Sequence, residues 1–129
     1  MKLLATNQVF EVKLGESVTT TAPTYDIDAA EVVSATLNLI TSASTAETGS
    51  FTDSYATACA APGANNQKGI TRIHIANVDT IAHTFFLRRN IAGSTFSFFL
   101  PGTTLQPGEF AEYEVGQGWT FFDAAGNQK

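Results

Sequence analysis

Hydrophobic and polar positions alternate along much of this chain, with the two-residue period of a strand whose faces differ in environment. From Gln8 to Leu14 the alternation puts Val9, Glu11 and Lys13 on one side and Phe10, Val12 and Leu14 on the other. Gly15 and Glu16 supply a turn, and a β-branched run from Ser17 to Thr21 ends at Pro23. Together these runs predict a hairpin, or an extended arm that pairs with a neighbour. Tyr25–Val33 is mixed, because Asp26, Asp28 and Glu31 interrupt its apolar residues and Ala29 and Ala30 tolerate a short helical turn. Thr36–Thr41 predicts a strand with Leu37 and Leu39 on one face, Ser42–Ser50 a polar linker, and Phe51–Tyr55 another short strand. Ala56–Gln67, with Pro62, Gly63, Asn65 and Asn66, predicts an exposed loop.

The pattern sharpens from Gly69 to Gly126, which reads as five short strands and holds most of the large aromatic side chains. Ile73 and Ile75 alternate with Arg72 and His74, and Asn77–Ala82 is a turn containing Asp79. His83–Ile91 and Thr95–Leu100 form a hairpin through Ala92 and Gly93. The turn dipeptides Pro101-Gly102 and Pro107-Gly108 frame a crossing segment, and Phe110–Val115 pairs with Trp119–Asp123 through Gly116–Gly118. Short strands at this spacing, with little helix-period signal, predict an all-β, antiparallel, jelly-roll-like β-sandwich. Residues 1–33 are expected as an N-terminal arm or hairpin and 34–129 as the sandwich core, one domain overall.

Three dipeptides depart from simple alternation. Phe85-Phe86, Phe98-Phe99 and Phe121-Phe122 each put a ring on both faces of a strand. One ring of each pair must be covered by a loop, by a sheet edge or by another subunit. Burying a phenylalanine is worth about 2 kcal/mol, so uncovered rings favour association. Phe10, Phe85, Phe86, Phe98, Phe99, Phe121 and Phe122 are therefore the candidate interface residues.

Composition narrows the function classes. A chain of 129 residues can enclose one core without disulfides or metals. With 43% apolar and 15% charged residues it is β-rich rather than disordered. A net charge of -5, with Arg88-Arg89 as the adjacent basic pair, argues against a nucleic-acid partner. Lys2 precedes too short an apolar run for a signal peptide, and no run approaches the ~20 residues of a membrane span. Synthesis and folding in the cytoplasm are expected. Cys59 stands alone among alanines, as a small buried hydrophobe does.

Candidate chemistry is sparse. His74 and His83 have no zinc-ligand spacing around them and read as strand residues on a polar face or a hydrogen-bonded edge. Asp26, Asp28 and Glu31 lack the glycine turn and further oxygens of a calcium loop and read as a solvated loop. Glu112 and Glu114 share a strand face at a spacing open to glycosidase-like chemistry, but they fit the wet face of an edge strand better. No nucleophile elbow or phosphate loop is present. No catalytic residue, metal site or cofactor is expected.

Ile73, Ile75 and Asn77 form an I-x-I-x-N strand. Further on come Leu105, Pro107, Gly108 and Glu109, then Tyr113, then Gly116, Gly118 and Trp119, then Asp123 and Gly126. Over about Thr36 to Gly126 this resembles a recurrent type of small structural protein from tailed bacteriophages. The resemblance implies a non-enzymatic virion component, made in the host cytoplasm. Its expected role is a capsid decoration or cement protein that binds between major capsid subunits and forms a homo-oligomer, with a trimer as one form. A tail, neck or fibre component is the alternative within that class. A carbohydrate-binding module, stacking a sugar on Trp119, Tyr113 or Tyr25, is the alternative outside it. A buried Trp119 favours the structural role and an exposed one favours sugar binding.

Overall fold

The computed structural model describes residues 2–3, 6–34 and 40–129. Its strands are β1 (Lys2–Leu3), β2 (Gln8–Leu14), β3 (Thr24–Ser34), β4 (Ile40–Ser50), β5 (Ala56–Cys59), β6 (Gln67–Ala76), β7 (His83–Ile91), β8 (Thr95–Leu105), β9 (Phe110–Glu114) and β10 (Gly118–Phe122). One sheet has the order β10-β9-β6-β3-β4, with β1 continuing the β9 side of β6, and the other has the order β5-β2-β7-β8. All these pairings are antiparallel. The chain is all-β, and its two sheets pack face to face as a sandwich.

Alternation explains the core. Phe10, Val12 and Leu14 of β2 and Phe85 and Leu87 of β7 meet Ile27 of β3, Ile73 and Ile75 of β6 and Ala111 of β9 in one buried cluster. Phe51, in the loop after β4, plugs one end and meets Phe85 edge-on at 4.9 Å. Each of these side chains larger than alanine contributes roughly 1.5–3 kcal/mol by leaving water.

Several segments differ from expectation. Gln8–Leu14 is a strand, but it lies between β5 and β7 instead of projecting as an arm. Its apolar face is spent on this chain's own core. Ser17–Thr21 makes no strand, because the N–H groups of Thr19, Thr20 and Thr21 donate to the Asp79 carboxylate and leave no ladder to build. The mixed Tyr25–Val33 is fully extended in β3: Ile27 and Ala29 face the core, and Asp26 and Asp28 the outside. Ser42–Ser50 is no linker but most of edge strand β4. The strand expected over Thr36–Thr41 lies outside the described residues except for its last two positions. Phe51–Tyr55 is a loop, whereas Ala56–Cys59 adds a strand to the smaller sheet. β8 runs straight through Pro101-Gly102; Pro101 sits opposite Phe86 at a register shift on an edge strand, where a missing N–H is tolerated.

Candidate functional site

The aromatic pairs divide as strand geometry requires. Phe85 is fully buried, while Phe86 lies on the outer face of the smaller sheet, half-buried. In β8 a register shift between Leu87 and Arg88 inserts one extra residue, so Phe98 points outward beside Arg88 and Phe99 turns into the core. Phe99 meets Phe10 at 6.1 Å and Tyr113 at 4.5 Å. Phe121 packs on the core, and Phe122 stacks on Phe110 outside the larger sheet at 4.7 Å and 9°. Of the seven candidate interface residues, Phe10, Phe85, Phe99 and Phe121 are thus committed to this chain's core. Phe86, Phe98 and Phe122 face outward, the first two on one sheet and Phe122 on the other.

Around Phe86 and Phe98 the smaller sheet presents an organised surface. Phe98 is 53% and Phe96 40% exposed, both large values for phenylalanine in a folded chain. The Arg88 guanidinium lies between the rings of Tyr55 and Phe96, 3.4 and 3.8 Å from their centroids, and its Nε donates to Glu11 Oε1 at 2.9 Å. Lys13 Nζ stands 5.0 Å from the Tyr55 ring and 5.3 Å from Phe86. These contacts fix the rings and the cation before any partner arrives, which reduces the ordering cost of binding. The sequence does not group Tyr55, Arg88 and Phe96, because their association joins β7 and β8 to the loop before β5. The i, i+2 spacing of Phe96 and Phe98 was the available signal.

The outer face of the larger sheet is more polar. Arg72 bridges Asp26 at 3.4 Å and Asp28 at 3.3 Å, and His74 lies 4.0 Å from Glu112. Glu112 and Glu114 stand on this wet face, but their strand β9 lies between β10 and β6 and is not the edge strand expected. Among the described residues, no three His, Cys, Asp or Glu side chains are grouped to share a metal ion. Cys59 is buried, and burial, reinforced by Glu47, pushes its thiol up to about 11.

His83 is a strand residue and hydrogen-bonded, but it lies on neither a polar face nor an edge strand: β7 runs between β2 and β8, and the side chain is wholly buried. Nε2 lies 2.8 Å from Asp79 Oδ2, and Nδ1 lies 3.5 Å from Glu16 Oε2. This His–carboxylate arrangement ties loops together, and among the described residues the ring nitrogens lie against Asp79 and Glu16 rather than a serine or cysteine. Asn77 has a related task, donating from Nδ2 to the carbonyls of Ile81 and Leu105 and accepting from the Asp79 N–H. Gly108 N–H donates to the Asn77 carbonyl, and Asn77 N–H donates to that of Glu109. The I-x-I-x-N and Leu-x-Pro-Gly-Glu elements are therefore two sides of one joint, in which Asn77, Leu105 and Glu109 are buried while Pro107 and Gly108 are exposed.

Trp119 packs against the core with Phe99 and Tyr113, and Tyr25 meets Phe51 edge-on at 5.6 Å. The side chains that could have stacked a sugar are engaged within the chain. Compared with models of known protein families, with characterised proteins and with solved structures, the chain matches none.

Proposed function

We propose that this protein is a non-enzymatic adhesive component of a virion: a jelly-roll-like decoration or cement protein that seats the outer face of β5-β2-β7-β8 against neighbouring major capsid subunits. The observation that carries the reading is the exposed Phe96 and Phe98 beside an Arg88 held between two rings. Covering a phenylalanine contributes about 2 kcal/mol, and repetition over many copies turns a modest contact into a stable shell. The capsid as partner comes from the phage-protein resemblance, and the aromatic face supplies the adhesive surface that role needs. The engaged Trp119, Tyr113 and Tyr25 weigh against the sugar-binding alternative.

The test is co-sedimentation with expanded capsids that lack the protein. Wild type is expected to pellet with them and raise their disruption temperature, and Phe98→Ser and Phe96→Ser to remain in the supernatant while still folded. Attachment to isolated tails instead of heads would move the site within the virion. Failure of the wild type to pellet with either, or variants that bind equally well, would overturn the proposal.

A further inference from the structure

Each sheet ends in two edge strands, and an edge strand offers a row of unpaired N–H and C=O groups to any other strand. Among the described residues, and apart from the two-residue β1 at the margin of the larger sheet, three of these four edges are obstructed. β10 is covered by the segment that follows it, through the Phe122–Gln128 bridge and a bond from the Lys129 N–H to the Phe121 carbonyl. β5 is four residues long. β8, though continuous, carries Pro101, which has no N–H to offer, and two register shifts against β7.

β4 carries none of these devices. It is eleven residues long, ITSASTAETGS, without proline or lysine and with Glu47 as its one charge. It pairs with β3 along its whole length without a register shift. The bond from the Phe51 N–H to the Pro23 carbonyl fixes the parity of that ladder. Odd-numbered β4 residues direct their backbone groups at β3. The N–H and C=O groups of Ser42, Ser44, Ala46, Thr48 and Ser50 therefore point away from the sheet.

We propose that β4 is a self-association edge: β4 of a second copy pairs with it antiparallel about a two-fold axis at Thr45, joining the two larger sheets into one. The sequence and the parity agree on this register. With Thr45 opposite its own copy, Ser44 falls opposite Ala46, Ser42 opposite Thr48 and Ile40 opposite Ser50, all at hydrogen-bonding positions. Thr45 and the Ala43–Glu47 pair fall at the positions between. This register places the one charge opposite an alanine position and not opposite its own copy, and a threonine position opposite its equivalent. A two-fold axis normal to the sheet keeps the core-facing sides of both copies on the same side, as an isologous dimer requires. This inference is independent of the capsid reading, because it concerns a different edge and a different partner.

The test uses the full chain in solution. Wild type is expected at twice the 13.7 kDa chain mass by light scattering. Ser44→Pro removes an N–H that β3 does not use, so the fold is expected to stay intact by circular dichroism while the dimer is lost. Thr45→Lys, which sets two cations against each other on the axis, should do the same, and it decides the matter if the proline variant misfolds. Under oxidation Thr45→Cys should form an intermolecular disulfide, whereas Thr48→Cys, whose two copies lie far apart in this register, should not. A wild-type monomer, a dimer indifferent to both Ser44→Pro and Thr45→Lys, or cross-linking of Thr48→Cys as readily as Thr45→Cys would overturn the proposal. Pairing of β4 with another protein's strand would appear as the first of these outcomes.

Discussion

His83 Nε2 lies 2.8 Å from Asp79 Oδ2, and neither side chain reaches solvent. The carboxylate also accepts from the N–H groups of Thr19, Thr20, Thr21 and Thr80 and from the Thr19 hydroxyl. One buried anion thus organises two loops 60 residues apart in sequence. Since an ionised carboxylate only accepts, His83 Nε2 carries the proton.

Burial alone would raise the Asp79 pKa. The hydrogen bonds from His83, Thr19 and Thr80 outweigh it and hold the carboxyl far below the usual range. A group whose pKa falls on folding stabilises the fold fully above its unfolded value, about 3.9 for Asp, and loses that contribution as pH drops toward its folded value. The urea midpoint should therefore fall steadily below about pH 4. Asp79→Asn should lower the midpoint at pH 7, because either orientation of the amide turns an NH2 toward N–H donors. It should also flatten the acid limb, and an acid limb identical in the variant would show that Asp79 does not carry it.

Asn77 is fully buried, and both ends of its amide are used. Asn77→Ala leaves the Ile81 and Leu105 carbonyls and the Asp79 N–H without that partner. At about 1–3 kcal/mol for each buried group left unsatisfied, partly relieved by water, a net loss of about 3 kcal/mol is expected from chemical denaturation. Asn77→Asp keeps the acceptor but loses the donors and adds a charge beside Asp79, so it should be no milder.

Where one face of a strand is apolar, sequence and structure agree to the residue, as over Gln8–Leu14 and His83–Ile91. β4 went unread because an edge strand of Ser, Thr and Ala has no apolar stripe to set a period. Ser17–Thr21 misled for the opposite reason: its β-branched residues suit a strand, but their amides serve a carboxylate that is 58–60 residues away. The doubled phenylalanines were legible as two-faced strands. The bulge that decides which ring of Phe98-Phe99 turns inward depends on pairing that no local pattern encodes.

That division makes a sharp contrast testable. Phe85→Ala empties a site packed edge-on against Phe51 and should cost about 3–5 kcal/mol. Phe98→Ala removes a half-exposed ring and should shift stability by no more than about 0.5 kcal/mol. Urea denaturation of the two variants checks this, and a Phe98→Ala loss comparable to that of Phe85→Ala would mean that the outer face is part of the folding core.

Burial holds the Cys59 thiol at about 11, so thiolate is scarce at neutral pH. The native protein is expected to react with an aromatic disulfide reagent orders of magnitude more slowly at pH 8 than the same chain in denaturant. Rapid labelling under native conditions would show that β5 opens readily from the edge of its sheet.

Gly108 separates two costs that glycine substitutions usually combine. Gly93 and Gly108 both have positive φ, +74° and +84°, so alanine at either meets the left-handed penalty, of order 1 kcal/mol. A Cβ at Gly93 meets open space, whereas one at Gly108 would lie 2.9 Å from the Ala124 Cβ. That contact is with a short side chain on a segment pinned by bonds from the Ala125 and Asn127 N–H groups to Asp123, so relief requires backbone movement. Movement there strains the bond from the Gly108 N–H to the Asn77 carbonyl. Gly93→Ala should therefore cost about 1 kcal/mol and Gly108→Ala about 2–3 kcal/mol. The double variant Gly108→Ala/Ala124→Gly, which removes the obstructing methyl, should recover part of the difference. Equal losses at the two glycines would mean that the loop carrying Ala124 yields freely and that the Pro107-Gly108 turn is held by Asn77 and Glu109 alone.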